Sequence, residues 1–124
     1  YVGARSLDPY EVELINERGI SKISSDFINT SMPGTLEKIS VFMSRFKKIH
    51  VSLDIDILDP SIAPGTGVPE PDGISEESLY DLLDLILNRD KVDSIDFVEY
   101  NPLLDIDGRT DMAVQRLAKR LSLL

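Results

Sequence analysis

Ser52-Leu53-Asp54-Ile55-Asp56-Ile57-Leu58-Asp59-Pro60, continued by Ser61-Ile62-Ala63-Pro64-Gly65-Thr66-Gly67-Val68-Pro69, decides how the rest of this chain is read. An apolar run beginning at Ile49 ends in acids, and a Pro/Gly-rich loop follows at once. Side chains two apart on an extended strand point to one side. Asp54 and Asp56 are therefore expected to face one point at the strand end. Two like charges held that close are costly unless a cation or a proton lies between them. Hard carboxylate oxygens suit Mg, Ca or Mn. The spacing predicts a divalent metal site with Asp54 and Asp56 among its ligands.

Outward from this stretch, short apolar runs alternate with helical signals. Tyr1 to Gly3 reads as a strand. Asp8 can cap a helix whose first residue is Pro9, and Gly19 stops it. Ile20 to Ser24 reads as a second strand. Pro33 opens a helix with an apolar stripe of Leu36, Ile39, Phe42, Met43 and Phe46. Ile49 to Leu53 is the strand that delivers Asp54. The long loop from Ile55 to Gly73 is of the kind that usually carries function. Ser75 caps a helix whose buried face is Leu79, Leu82, Leu83 and Ile86. Val92 to Tyr100 forms a strand ending at Glu99, and a last helix runs from about Thr110 to Leu123.

Strands alternating with helices predict an α/β fold with a mainly parallel sheet covered on both faces. Ligands in such sheets sit beyond the carboxyl ends of the strands. Asp54, Asp56 and Glu99 all lie at such ends, on two different strands. Residues 1–124 read as one domain or part of one, beginning at Tyr1 in what looks like strand interior.

Composition sets the outer bounds. With 42% hydrophobic and 28% charged residues the chain suits a soluble globular class. It has no apolar run of about 18 residues, so no membrane span is expected. Zero cysteines exclude disulfides and thiolate metal sites, and fit a reducing cytoplasm. A net charge of −9 argues against nucleic-acid binding and favours cationic small molecules.

A helix-loop-helix calcium loop starting at Asp54 would need Gly where Asp59 stands and Glu where Gly65 stands, and is excluded. A strand followed by Asp-x-Asp also resembles the nucleophile motif of haloacid-dehalogenase-like phosphatases, with Asp54 as nucleophile and Asp56 as acid/base. No clear downstream magnesium pair accompanies it. The acids could instead only cap a turn, and Asp59-Pro60 is expected to do so.

The combination Ser52-x-Asp54-x-Asp56-x-x-Asp59-Pro60 with Ala63-Pro64-Gly65-Thr66-Gly67-x-Pro69 closely resembles the signature of the ureohydrolases: arginase, agmatinase and their relatives. Tyr1-Val2-Gly3-Ala4-Arg5-Ser6-Leu7-Asp8-Pro9 is similar to the family's strand and Gly-x-Arg segment, and Glu99-x-Asn101-Pro102 to its late Glu-x-Asn-Pro motif. The resemblance covers essentially all of residues 1–124 and maps them to the C-terminal part of the family's single domain.

The resemblance implies a three-layer αβα sandwich and two manganese ions, Mn(2+), in each active site of the complete domain. Asp54 would bridge both ions, Asp56 would hold one, and Glu99 would pair with the substrate guanidinium. The implied reaction is attack of a metal-activated water on a guanidinium carbon, giving urea and an amine. It also implies a homo-oligomer, trimer or hexamer, in the cytoplasm. The family's other ligands belong to Gly-Gly-Asp-His and Asp-Ala-His-x-Asp motifs, which residues 1–124 lack, so this chain alone is expected to be inactive. His50, the one histidine, is expected to be buried or to support a ligand rather than to be one.

Ser6 after Arg5, and Ala63-Pro64-Gly65-Thr66-Gly67, favour agmatine as substrate. Asp8-Pro9 and Glu11 look arginase-like. Val68 stands where the family commonly has Thr, and Asp72-Gly73 where Gly-Gly is usual; both leave room for a non-catalytic binding or assembly protein.

Overall fold

Capping residues set the helix boundaries. The computed structural model describes residues 1–87 and 90–122. Helix α1 (Pro9–Arg18) begins after Asp8, whose Oδ1 accepts the Glu11 N–H at 2.9 Å while Glu11 Oε2 accepts the Asp8 N–H at 2.9 Å. This reciprocal box satisfies two amides that a helix start leaves unpaired. Gly19 closes the helix at φ 60°, a left-handed conformation that costs glycine nothing.

Strand β1 (Val2–Ala4) precedes α1, and β2 (Ile23–Ser24) follows it and pairs in parallel with β1. A helix absent from the expectation, α2 (Ser25–Thr30), comes next, with Ser24 Oγ accepting the Phe27 N–H at 3.2 Å. Six residues hold too little apolar periodicity to be read, yet Ile28 is 1% exposed. Helix α3 (Met32–Ser44) then buries Ile39 and Met43.

Strand β3 (Ile49–Asp54) and strand β4 (Val92–Val98) pair in parallel from Ile49 opposite Val92 to Asp54 opposite Val98. Between them in sequence lie the long loop and helix α4 (Glu76–Leu87), where Ser75 Oγ accepts the Ser78 N–H at 3.1 Å as expected of a cap. Helix α5 (Arg109–Leu121) ends the fold; Leu123, the expected end, lies outside the described residues. One apolar cluster joins Leu53 of β3 to Ile39 and Met43 of α3, Leu79 and Leu83 of α4, and Leu117 of α5. Burial of these side chains is the main favourable term in such a core, at roughly 1.5–3 kcal/mol each.

The expected single sheet is divided here. Strands β1 and β2 form one parallel pair, β3 and β4 another, and among the described residues the pairs do not join. A groove of about 960 Å³ separates them, lined by Tyr1 to Ala4, by Ile49 to Asp54, and by α3 and α4 residues such as Met43 and Leu83. Nor is the β3–β4 pair covered on both faces. His50 is 55% exposed, which corrects the expectation of a buried residue. Its Nδ1 lies 2.8 Å from Ser94 Oγ and its Nε2 3.4 Å from Asp96 Oδ2, on a side of the sheet that stays open to solvent.

Candidate metal centre

The chain leaves β3 at Asp54 through a single 3₁₀ turn, Ile55–Ile57. Asp56 is the middle residue of that turn, so strand alternation is not what brings the two acids together. The turn does it instead, folding Asp56 back until its N–H donates to Asp54 Oδ1 at 3.3 Å. Ile55 and Ile57 anchor the turn in the core at 0% and 9% exposure, leaving both aspartates half-buried.

Glu99 joins them from the neighbouring strand. Val98 stands opposite Asp54, and Glu99 follows it at φ 65°. A side chain in this left-handed region carries a strain of about 1–2 kcal/mol. Its carboxylate lies close to the loop, where a methyl group at Gly67 would sit 3.7 Å from Glu99 Oε2.

The electrostatics register the convergence. Desolvation first, then the Asp56 charge and, least of all, the Glu99 charge push the Asp54 carboxyl up to about 6, against the opposing effect of the Asp56 N–H. A carboxyl whose folded pKa is raised favours folding below its unfolded value near 3.8. That contribution is lost as pH rises toward 6. Asp54→Asn keeps the Oδ1 acceptor and drops the charge. Thermal unfolding of the metal-free chain should therefore show Asp54→Asn gaining in midpoint over wild type at pH 7.5, with the gap closing below pH 4.

Arg5, one residue beyond β1, braces the turn. Its Nη1 donates to the Ile57 carbonyl at 3.0 Å and its Nη2 donates to the Asp56 carbonyl. Its buried Nε has no partner in the described structure. The sequence shows this arginine only as a member of a motif; its grip across 51 residues on the Asp56 carbonyl could not be read. Asp59 behaves as expected of a turn residue, its Oδ1 accepting from the Ser61 hydroxyl at 2.6 Å and the Ser61 N–H at 2.9 Å. These bonds hold its carboxyl below the usual range. Val68 is exposed and shares a smaller pocket, about 320 Å³, with Arg5, Ser6, Asp56 and Glu70.

Two half-buried carboxylates that repel each other suit a hard divalent cation in charge and in donor type. They do not suffice in number. Among the described residues no group of three or more His, Cys, Asp or Glu side chains is placed to hold a metal ion.

The Arginase family model matches residues 1–123. The chain belongs to the arginase family. The arginase of Agrobacterium fabrum is 33% identical over 97% of this chain, which corresponds to 38% of that protein. The crystal structure of Bacillus subtilis arginase superposes with a TM-score of 0.86 at 34% identity, covering 94% of this chain and 41% of that one. Entamoeba histolytica arginase in complex with L-ornithine gives a TM-score of 0.87 at 33% identity, over 95% of this chain and 40% of that one. Residues 1–124 thus span about two fifths of these arginase-family relatives, and the fold is an incomplete α/β domain of their type. No helix among the described residues is long and apolar enough to cross a membrane.

Proposed function

We propose that residues 1–124 are the C-terminal part of a single ureohydrolase domain, and that the completed domain hydrolyses a guanidino compound to urea and an amine. The observation that carries this reading is the meeting of Asp54, Asp56 and Glu99 beyond the ends of β3 and β4. The groove between β1 and β3 supports the incomplete-domain part: it is apolar, and both strands beside it have a pairing partner on one side only.

In the completed domain Asp54 and Asp56 would hold manganese, two ions per site, with the remaining ligands supplied from outside residues 1–124. When bound, the metal supplies an acidified water and neutralises developing charge. The chain's own residues do the rest. Glu99 accepts from the planar guanidinium and fixes its orientation. Arg5 holds the Asp56 carbonyl so that the turn keeps its shape. Gly67 keeps the loop backbone close to the Glu99 carboxylate, which lies 3.7 Å from where a methyl group at Gly67 would sit.

Short motifs at Ser6 and Ala63–Gly67 favour agmatine, whereas the relatives from Agrobacterium fabrum and Bacillus subtilis, each matched over 97% of the chain, are named arginases. Whole-chain likeness outweighs two short motifs, and arginine becomes the preferred substrate. We extend the reading to a homo-oligomer, trimer or hexamer, acting on a small cationic guanidino substrate in the cytoplasm.

The test is urea release by the completed domain with manganese, comparing arginine, agmatine and other guanidino compounds. Release from at least one supports the reading; none, with folded and metal-loaded protein, points to the non-catalytic alternative that Val68 and Asp72 suggest. The 124-residue chain alone should release no urea even with manganese present, since its donor set is incomplete. Activity of the isolated chain would overturn the shared-ligand reading.

A further inference from the structure

Gly65 is held from both sides. Its N–H donates to Thr110 Oγ1 at 2.7 Å, and its carbonyl accepts the Asn101 N–H at 2.8 Å. Thr110 is fully buried, at 0% exposure, in the first turn of α5, 45 residues away in sequence. Its own backbone is fixed as well: Thr110 N–H and Asp111 N–H donate to the two oxygens of Asp105, each at 2.9 Å. The packing around Gly65 has no slack, because a methyl group there would lie 2.8 Å from Asp105 Cβ and 2.9 Å from Thr110 Oγ1.

Two residues from each end of this clamp lie the groups that matter. Glu99 precedes Asn101 by two and sits in a strained left-handed backbone. Gly67 follows Gly65 by two and abuts the Glu99 carboxylate. A strained residue keeps its conformation only while its surroundings over-determine it. Here the surroundings are the Gly65–Asn101 bond, and that bond is anchored by the Thr110 hydroxyl.

We propose that Thr110 is a positioning residue for Glu99. Its hydroxyl fixes Gly65, and Gly65 fixes the backbone that aims the Glu99 carboxylate at the substrate guanidinium. This rests on the guanidino-hydrolase reading above for its kinetic consequence, and on geometry alone for its structural one. Without the hydroxyl, the buried Gly65 N–H loses its acceptor and the clamp loosens.

The experiment uses the completed domain with Thr110→Val, Thr110→Ala and Thr110→Ser. Because Glu99 holds the guanidinium alike in the bound substrate and in the transition state, its misplacement should raise KM and spare kcat. Thr110→Val and Thr110→Ala should raise KM by about tenfold, with kcat within about threefold of wild type. Thr110→Ser keeps the acceptor and should restore wild-type KM. Crystal structures of Thr110→Ala and wild type should show the Glu99 carboxylate withdrawn from Gly67 in the variant. Thr110→Ala carries the test if Thr110→Val fails to fold, since it introduces no new bulk. Unchanged KM with Glu99 in place in Thr110→Ala would overturn the proposal, as would failure of Thr110→Ser to rescue KM. If the wild-type domain releases no urea from any guanidino compound, the catalytic reading falls by itself. The crystal structures then decide: Glu99 in place in Thr110→Ala refutes the positioning role, and Glu99 withdrawn sustains it.

Discussion

Asp54→Asn in the completed domain should lower turnover by about a thousandfold or more, a change of roughly 4 kcal/mol in the barrier. The substitution is nearly isosteric and keeps Oδ1 as the acceptor for the Asp56 N–H. Only the charge goes, and the charge is what a hard divalent ion requires of its ligand. Removing groups that merely support a metal ligand costs about 10–100-fold. Removing a carboxylate that would itself hold the metal should exceed that. Stability should move the other way: the metal-free protein gains from losing a carboxylate that Asp56 and Glu99 repel. Opposite signs separate metal-ligand loss from simple misfolding, which would lower both quantities together. The measurement is steady-state urea release at saturating manganese and metal content after dialysis, with the unfolding midpoint recorded on the same proteins after the metal is removed. A variant that keeps a tenth of wild-type turnover and its full metal complement would remove Asp54 from the coordination shell.

What could be read in the sequence was local. Asp8, Pro9 and Gly19 bound α1 because caps act over three or four residues, a distance that spacing alone resolves. The strand that carries Asp54 and the turn at Asp59 were legible for the same reason. The approach of Asp56 to Asp54 comes about by a different route from the one strand spacing suggests. Period-two alternation predicts the shared face, whereas residues 55–57 form a 3₁₀ turn with Ile55 and Ile57 buried. Helix α2 stayed hidden because one and a half turns carry no period. The start of α5 was legible to within one residue, expected at about Thr110 and found at Arg109, but its cap was not: Gly108 at the cap position offers no side chain, and Asp105, three residues earlier, takes over the amides of Thr110 and Asp111. Partial desolvation works to raise the Asp105 carboxyl, but those two donated bonds outweigh it and hold it below its usual range.

Long-range features were beyond reach for a different reason. The Arg5 grip on the turn and the Thr110 clamp on Gly65 depend on tertiary contacts between residues 45 to 52 apart in sequence. The exposure of His50 depends on which layers are present, which side-chain type does not reveal. On substrate, the motifs at Ser6 and Ala63–Gly67 sample a few positions, whereas the likeness to Agrobacterium fabrum arginase runs through 97% of the chain.

Gly73→Ala should destabilise the chain by more than about 3 kcal/mol, lowering the unfolding midpoint by roughly 10 °C or more. A Cβ at this position would lie 2.3 Å from the Asp59 nitrogen, 2.4 Å from the Leu58 carbonyl carbon and 2.5 Å from Asp59 Cα. All three are backbone atoms, so no rotamer change relieves the clash. The backbones cannot part cheaply either. Ile74 N–H donates to the Ile57 carbonyl at 2.9 Å and Asp59 N–H to the Ile74 carbonyl at 3.1 Å, with Leu58 and Ile74 at 1% and 0% exposure. Gly19→Ala is the informative control: nothing lies within 4 Å of the added methyl, and only the left-handed φ of 60° is penalised, by about 1 kcal/mol. Chemical denaturation of both variants measures the contrast, and equal losses would refute the steric account. The same contact bears on function. Of the usual Gly-Gly, the second glycine is the one backbone contact demands, and Gly73 keeps it. Asp72 stands at φ 62°, a region that Asp enters more readily than most residues. The departure at Asp72 is therefore tolerable to the fold, and it weighs little against a catalytic role. Should Asp72→Gly leave urea release by the completed domain unchanged while Gly73→Ala abolishes it, the loop's requirement is for close backbone approach at Leu58 and Asp59, not for two glycines.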